Sequence, residues 1–204
     1  MVEERTVSKR QLEIQLGKLK ILQTPQLRLE QYPISAKVAA ELLFMAGFEH
    51  QDLQGETIDL GTGTGRLAIG AALMGSKRVV GVDMDEKSIA IARENAISAG
   101  VDVEWVVSDI KDVIGRYDTV IMNPPYGTRA PHLDVRFLER AFELAPVSYS
   151  VHKSSTREFL RRFIGKRNRK VDAVCSMRMG IPHLFPFHHK KWENVEVDLY
   201  RVTS

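Results

Sequence analysis

Short apolar runs alternate with longer segments of helical period along most of this chain. Leu12, Leu16 and Leu19 recur every three or four residues, which predicts a helix over Ser8–Leu22, broken before Pro25. Ser35 reads as the N-cap of a second helix running through Met45, with Val38, Leu42 and Leu43 inward. The run Glu56–Leu60 predicts a first strand, followed by a helix over Leu67–Met74. Arg78–Asp83 predicts a second strand, and Lys87–Ala99 a helix with Ile89, Ala92 and Ala96 on one face that stops at Gly100. Val103–Val107 and Tyr117–Met122 predict the third and fourth strands, then Val135–Leu144 a helix. Val147–Val151 predicts a fifth strand and Thr156–Phe163 a helix. Val171–Met177 and Val195–Val202 are apolar runs without a clear helix between them, which suggests an antiparallel edge pair. Strand and helix alternate, so the fold class is α/β with a parallel, doubly wound sheet.

In such sheets ligands bind beyond the carboxyl ends of the strands. Here those ends are chemically distinctive. The first strand runs into Gly61-Thr62-Gly63-Thr64-Gly65-Arg66 and then a helix, the setting of a nucleotide-binding corner, where glycine lets main chain approach a ligand. The spacing is not that of the dinucleotide fingerprint. Asp59, just before the glycines, suits the ammonium of a zwitterionic amino-acid group better than a pyrophosphate. Asp83 ends the second strand, where an acid can bond a ribose diol; it also fits an N-cap, a role that Asp85 or Glu86 can fill instead. Asp109, after the third strand, can accept from an adenine amino group, with the Ile110 N–H beside it; a solvated turn aspartate is the alternative. Leu29-Glu30-Gln31-Tyr32-Pro33 reads either as a linker or as a lid in which Gln31 and Tyr32 touch a cofactor.

The fourth strand stops at Asn123-Pro124-Pro125-Tyr126. Neither proline has an N–H for the ladder, and each drives its predecessor out of the helical region. The Asn123 side-chain oxygen and the Pro124 carbonyl can converge on one –NH2 group, while the Tyr126 ring stacks on a planar substrate. An aryl amine or amide nitrogen is a poor nucleophile because its lone pair is delocalised. Two acceptors on its hydrogens favour a pyramidal nitrogen with that pair free. A Pro-Pro turn that merely closes a strand is the competing reading.

Length changes the picture little: 204 residues predict a single domain over 1–204, with 1–33 as an N-terminal helix and cofactor lid. One cysteine, Cys175, excludes an internal disulfide and a Cys-x-x-Cys zinc site and suits a reducing cytoplasm. No metal is expected, since His183, His188 and His189 have no acid or cysteine at ligand spacing. No apolar run approaches the roughly 18–20 residues of a membrane span. The net charge of +3 decides nothing by itself, but its distribution does. Lys153 to Lys170 holds eight lysines and arginines against one acid, Glu158. Lys153, Arg157, Arg161, Lys166, Arg167 and Arg169, with Lys190 and Lys191 further on, are the candidate contacts to an RNA backbone. A solvated helix face gives the same pattern.

The order Asp-Leu-Gly-Thr-Gly-Thr-Gly, Asp83, Asp109, Asn-Pro-Pro-Tyr resembles the class I S-adenosylmethionine-dependent N-methyltransferases. Leu29-Glu30-Gln31-Tyr32-Pro33, Val120-Ile121-Met122-Asn123-Pro124-Pro125, His152-Lys153-Ser154-Ser155-Thr156-Arg157-Glu158 and Val195-Glu196-Val197-Asp198-Leu199 narrow the resemblance to the methyltransferase-like protein five family. It implies a three-layer Rossmann-like fold of about seven strands, mostly parallel with an antiparallel C-terminal strand. It implies S-adenosylmethionine as cofactor and N6 of an adenosine in small-subunit ribosomal RNA as target. Gln31, Gly61, Thr64, Arg66, Asp83, Asp109 and Ile110 match the family's cofactor positions, and Asn123 to Tyr126 its catalytic tetrapeptide; Tyr32, Asp59 and Gly63 join them on the residue reading above. Tyr126 departs from the phenylalanine of eukaryotic members and Ile34 from a threonine. The resemblance also implies a small activator subunit on the third-strand edge, around Val103, Trp105 and Val107. Competing functions are DNA adenine methylation, methylation of a protein glutamine amide, and a non-catalytic factor that docks on ribosomal RNA.

Overall fold

The computed structural model describes residues 7–23, 32–125, 133–182 and 192–204. Among the described residues seven strands form one sheet: β1 Glu56–Leu60, β2 Arg78–Asp83, β3 Glu104–Val107, β4 Thr119–Met122, β5 Val147–Lys153, β6 Lys170–Pro182 and β7 Trp192–Thr203. Their spatial order is β3-β2-β1-β4-β5-β7-β6. The first five are parallel, and β7 runs antiparallel between β5 and β6. The expected antiparallel pair therefore closes one end of the sheet, and β3 forms the other edge.

The described helices are α1 Lys9–Gly17, α2 Ala36–Phe44, α3 Arg66–Leu73, α4 Glu86–Ala99, α5 Leu133–Leu144 and α6 Arg157–Gly165. Two buried clusters cover the two faces. One gathers Leu12, Leu16, Val38, Leu42, Leu43 and Ile69 of α1–α3 over Ile121, Tyr149, Val151 and Leu199. The other gathers Leu138, Ala141, Leu160 and Ile164 of α5 and α6 over Ile58, Leu60, Val120, Met122 and Tyr200. Strand residues alternate between the clusters, as period two requires.

Local chemistry sets the ends. Ser8 and Gln11 form a capping box at α1, and Ser35 accepts from the Val38 N–H at α2. The first helix is shorter than its periodicity predicts. After Gly17 the chain leaves the helix, and both main-chain groups of Lys20 bond the Asn95 side chain instead. A tertiary bond thus overrides local propensity. The second helix continues past Phe44 as a wider π-turn, Met45–Glu49. Asp85, not Asp83, caps α4, accepting from the Lys87 N–H and the Ser88 hydroxyl.

Candidate active site

Register brings the strand ends to one level. Leu60 pairs with both Val82 and Met122, so Gly61, Asp83 and Asn123 follow side by side, and Asp83 pairs with Val107 before Ser108 and Asp109. They line a pocket of about 330 Å³, with Leu22, Tyr32, Pro33 and Ile34 on one wall and Leu133, Arg136 and Phe137 of α5 on another. Of the residues singled out in the sequence, Tyr32, Asp59, Gly61, Gly63, Thr64, Arg66, Asp83, Asp109, Ile110, Asn123 and Pro125 line this one pocket. Pro124 lies between two of them in the chain. Gln31, Tyr126, Lys190 and Lys191 lie outside the described residues.

The glycine loop needs glycine on steric grounds. Gly61 and Gly65 have φ of 70° and 87°, in the left-handed region. A Cβ on Gly61 would meet the Phe137 ring at 2.9 Å, and one on Gly65 the Trp105 ring at 2.6 Å. The loop is pinned from three sides. The Gly63 N–H donates to Asp83 at 2.8 Å, and the Thr62 N–H donates to the Val82 carbonyl at 2.9 Å. Asn95, buried on α4, donates to the carbonyls of Thr64 and Lys20 and accepts from the Lys20 N–H, at 2.9, 3.0 and 2.9 Å.

Three groups in this pocket hold a buried polar atom that is incompletely bonded: Asp59, Arg66 and Asn123. One Asp59 carboxylate oxygen accepts from the Thr62 hydroxyl at 2.6 Å and from the Ala68 N–H at 3.0 Å. The other has no partner among the described residues. Burial pushes the Asp59 carboxyl up to about 7, against those two bonds and with Asp83 adding to the rise. Arg66 donates to the Ile34 carbonyl, while its buried Nε has no described partner. Burial also lowers the Arg66 pKa. An unpartnered carboxylate oxygen and an unpartnered guanidinium N–H in one cavity match the two ends of a zwitterionic amino acid. Asp83 sits higher than an ordinary carboxyl because it is buried, despite main-chain donors at Asp85 and Gly63. Asp109 accepts from the Lys111 N–H at 3.1 Å and is turned to the same cavity.

Asn123 stands at the far wall. Its amide nitrogen donates to the Tyr32 carbonyl at 3.2 Å, and its amide oxygen is buried without a partner among the described residues. Unbonded buried acceptors are uncommon and call for a ligand or a cost.

The predicted RNA contacts separate into two groups. Arg157 donates twice to the fully buried Asp198, at 2.7 Å each, and once to the Ser176 hydroxyl. Arg167 pairs with Glu139 and lies over the Phe163 ring, and Arg169 donates to the carbonyls of Phe142, Ala145 and Pro146. These three guanidiniums thus hold α5, α6, β6 and β7 together. Arg161 is exposed on α6 and Lys166 at its C-cap, and Lys153 is half-buried at the end of β5. Asn95 and Arg136 were not singled out by sequence reasoning. A polar residue within the Ile89–Ala92–Ala96 face of α4 is the signal that marks Asn95; Arg136 carries none, because its place on the wall depends on how α5 packs.

A model of the methyltransferase small domain matches residues 38–147, more than half of the chain. The rRNA N6-adenosine-methyltransferase Mettl5 of Drosophila melanogaster is 34% identical, covering 94% of this chain and 94% of its own. The METTL5 enzyme of Danio rerio is 34% identical, covering 95% and 98%. The crystal structure of PH1948 from Pyrococcus horikoshii matches with a TM-score of 0.90 at 36% identity, covering 96% of this chain and 97% of that one. With its pocket at the ends of a class I methyltransferase sheet and this similarity along nearly its whole length, the chain belongs to the methyltransferase small-domain family, within its METTL5 group.

Proposed function

We propose that this protein methylates the N6 amino group of an adenosine in ribosomal RNA, most specifically that of the small subunit. Its relatives in fly and zebrafish carry the rRNA N6-adenosine-methyltransferase name over nearly their full length. The cofactor is S-adenosylmethionine, which when bound supplies an electrophilic methyl group. Asp59 and Arg66 hold its amino-acid end, the first through the ammonium and the second through the carboxylate. Asp83 takes the ribose hydroxyls, while Asp109 and the Ile110 N–H take the adenine edge. Gly61, Gly63 and Thr64 bring main chain against it, and Tyr32 closes the N-terminal side, with Gln31 proposed as a further cofactor contact.

One observation carries the reading of the chemistry. The Asn123 amide is held by its nitrogen, so its bare oxygen is the group left for the substrate. With the Pro124 carbonyl it draws on the hydrogens of an exocyclic amine, and Tyr126 stacks on the base presented to it. Pro125 stiffens the turn that aims these groups. No strong base is needed, because the surplus proton leaves after transfer. The residues contribute orientation and fixed dipoles.

Lys153, Arg161 and Lys166 are the proposed phosphate contacts on the described surface, together with Lys190 and Lys191 further along the chain. The sheet edge at β3 exposes Val106 and Val107 by 41% and 48%, and there we place a small activator subunit. A lone cysteine supports a reducing, cytoplasmic setting, and no described helix is long and apolar enough to cross a membrane. The test is labelled methyl transfer to ribosomal RNA, DNA and protein in parallel, with the product nucleoside identified. N6-methyladenosine in the RNA arm supports the proposal. Label confined to DNA, or to glutamine in protein, overturns it.

A further inference from the structure

An asparagine amide has two ends of opposite polarity and nearly equal shape. Turned one way, Asn123 offers a substrate amine an acceptor. Turned the other way it offers two donors, which an amine hydrogen avoids. Something must decide which end faces the pocket.

The short strap before α2 bears on that choice. Tyr32, Pro33 and Ile34 line the pocket, and the Tyr32 carbonyl accepts from the Asn123 amide nitrogen at 3.2 Å. Two residues on, the Ile34 carbonyl accepts from Arg66, whose side chain is half-buried with its Nε inaccessible to solvent. Ile34 itself is buried in the cluster of α1–α3. Pro33 lies between the two carbonyls and restricts Tyr32 to extended backbone, which limits where the Tyr32 carbonyl can point.

We propose that this strap fixes the orientation of the Asn123 amide, and that Arg66 is a positioning residue for the catalytic step. Arg66 anchors the Ile34 carbonyl, Pro33 transmits that anchor, and the Tyr32 carbonyl holds the amide nitrogen so that only the oxygen faces the substrate. This role is separate from any bond between Arg66 and the cofactor, and it rests on the reading of Asn123 as the amine acceptor. The glycine-loop arginine and the tetrapeptide asparagine are thereby one unit, joined through the three residues Tyr32, Pro33 and Ile34.

The experiment compares Arg66→Met, Arg66→Lys and Pro33→Ala, measuring kcat on ribosomal RNA at saturating cofactor and, separately, cofactor Kd by calorimetry. Loss of one neutral hydrogen bond that sets the amide corresponds to about a fivefold to tenfold fall in kcat. Arg66→Met is expected to show that fall, and Arg66→Lys, which keeps one donor for Ile34, to recover most of it. Pro33→Ala, which leaves Arg66 intact, is expected to lower kcat without moving cofactor Kd; it carries the test if Arg66→Met does not fold. A weaker Kd with unchanged kcat in Arg66→Met overturns the proposal and leaves Arg66 a cofactor ligand only. Asn123→Asp provides the second arm, since a carboxylate is an acceptor in either orientation. In that background Arg66→Met is expected to add no further loss of kcat, and an additive loss overturns the positioning role. Full kcat in Asn123→Ala is a different failure, because it removes the acceptor reading on which the proposal stands.

Discussion

Replacing Arg157 with methionine separates a structural arginine from an RNA contact. The sequence places Arg157 in a basic cluster, yet its guanidinium is spent on Asp198. That carboxylate is fully buried and also accepts from Ser154, Ser176 and Tyr200 at 2.8, 2.9 and 3.3 Å. Burial pushes the Asp198 pKa up, but the bonds from Arg157, Ser154 and Ser176 outweigh it and hold the group at about 2. Without Arg157 burial has far less opposing it. Stranding a buried charge costs roughly 3–5 kcal/mol; because Ser154, Ser176 and Tyr200 still donate to Asp198, the low end, about 3, applies here. For a chain of this size that is a fall in Tm of about 6–12 °C. The sign with pH follows from the lowered folded pKa. The stabilisation is complete above the ordinary carboxylate range near about 4 and is lost as pH falls through about 2. Calorimetric melts at neutral and acid pH measure this, with RNA affinity taken at a temperature where both proteins are folded. The variant should melt early and, once folded, bind RNA about as well as the parent. Pairing it with Asp198→Leu should restore much of the Tm, since no buried charge is then stranded. An unchanged Tm with weakened RNA binding would return Arg157 to the RNA surface.

Three further outcomes follow from the site. Asn95→Ala removes three hydrogen bonds and strands the Thr64 and Lys20 carbonyls, so stability should fall by about 2–4 kcal/mol and cofactor Kd should weaken, read by melts and calorimetry. Asp59, held near 7 by burial, must be ionised to take an ammonium, so binding releases a proton. Cofactor affinity should therefore rise from about pH 6 to about pH 7.5, and Asp59→Asn should flatten that rise while weakening binding throughout. Arg161→Ala and Lys166→Ala should each lower the slope of log affinity against log salt by about 0.7–1 for ribosomal RNA, with Tm unmoved.

Much of this site was legible because each strand end is a local signal. Gly61 to Gly65, Asp83, Asp109 and Asn123 are each marked by an apolar run that stops at a polar residue. The parallel register then assembles them without further information. Asp85 as the cap of α4 follows the same local logic. What was hidden depends on tertiary packing. The end of α1 at Gly17 is decided by Asn95, 75 residues beyond Lys20. The basic cluster looked uniform, yet Arg157, Arg167 and Arg169 differ from Arg161 only in which way they face once α6 packs on β6 and β7. Charge counts carry no such direction. The bond from Asn123 to Tyr32, spanning 91 residues, had no signal in either local stretch.

In the proposed reaction the Asn123 oxygen acts on the substrate amine and not on the cofactor. Asn123→Ala measured in two ways tests it most directly: cofactor Kd by calorimetry, and single-turnover transfer to ribosomal RNA. The prediction is a Kd within about twofold of the parent and transfer slowed by about a hundredfold or more, the usual loss for one preorganised polar group. Transfer at the parent rate, or a Kd weakened as much as the rate, would contradict it.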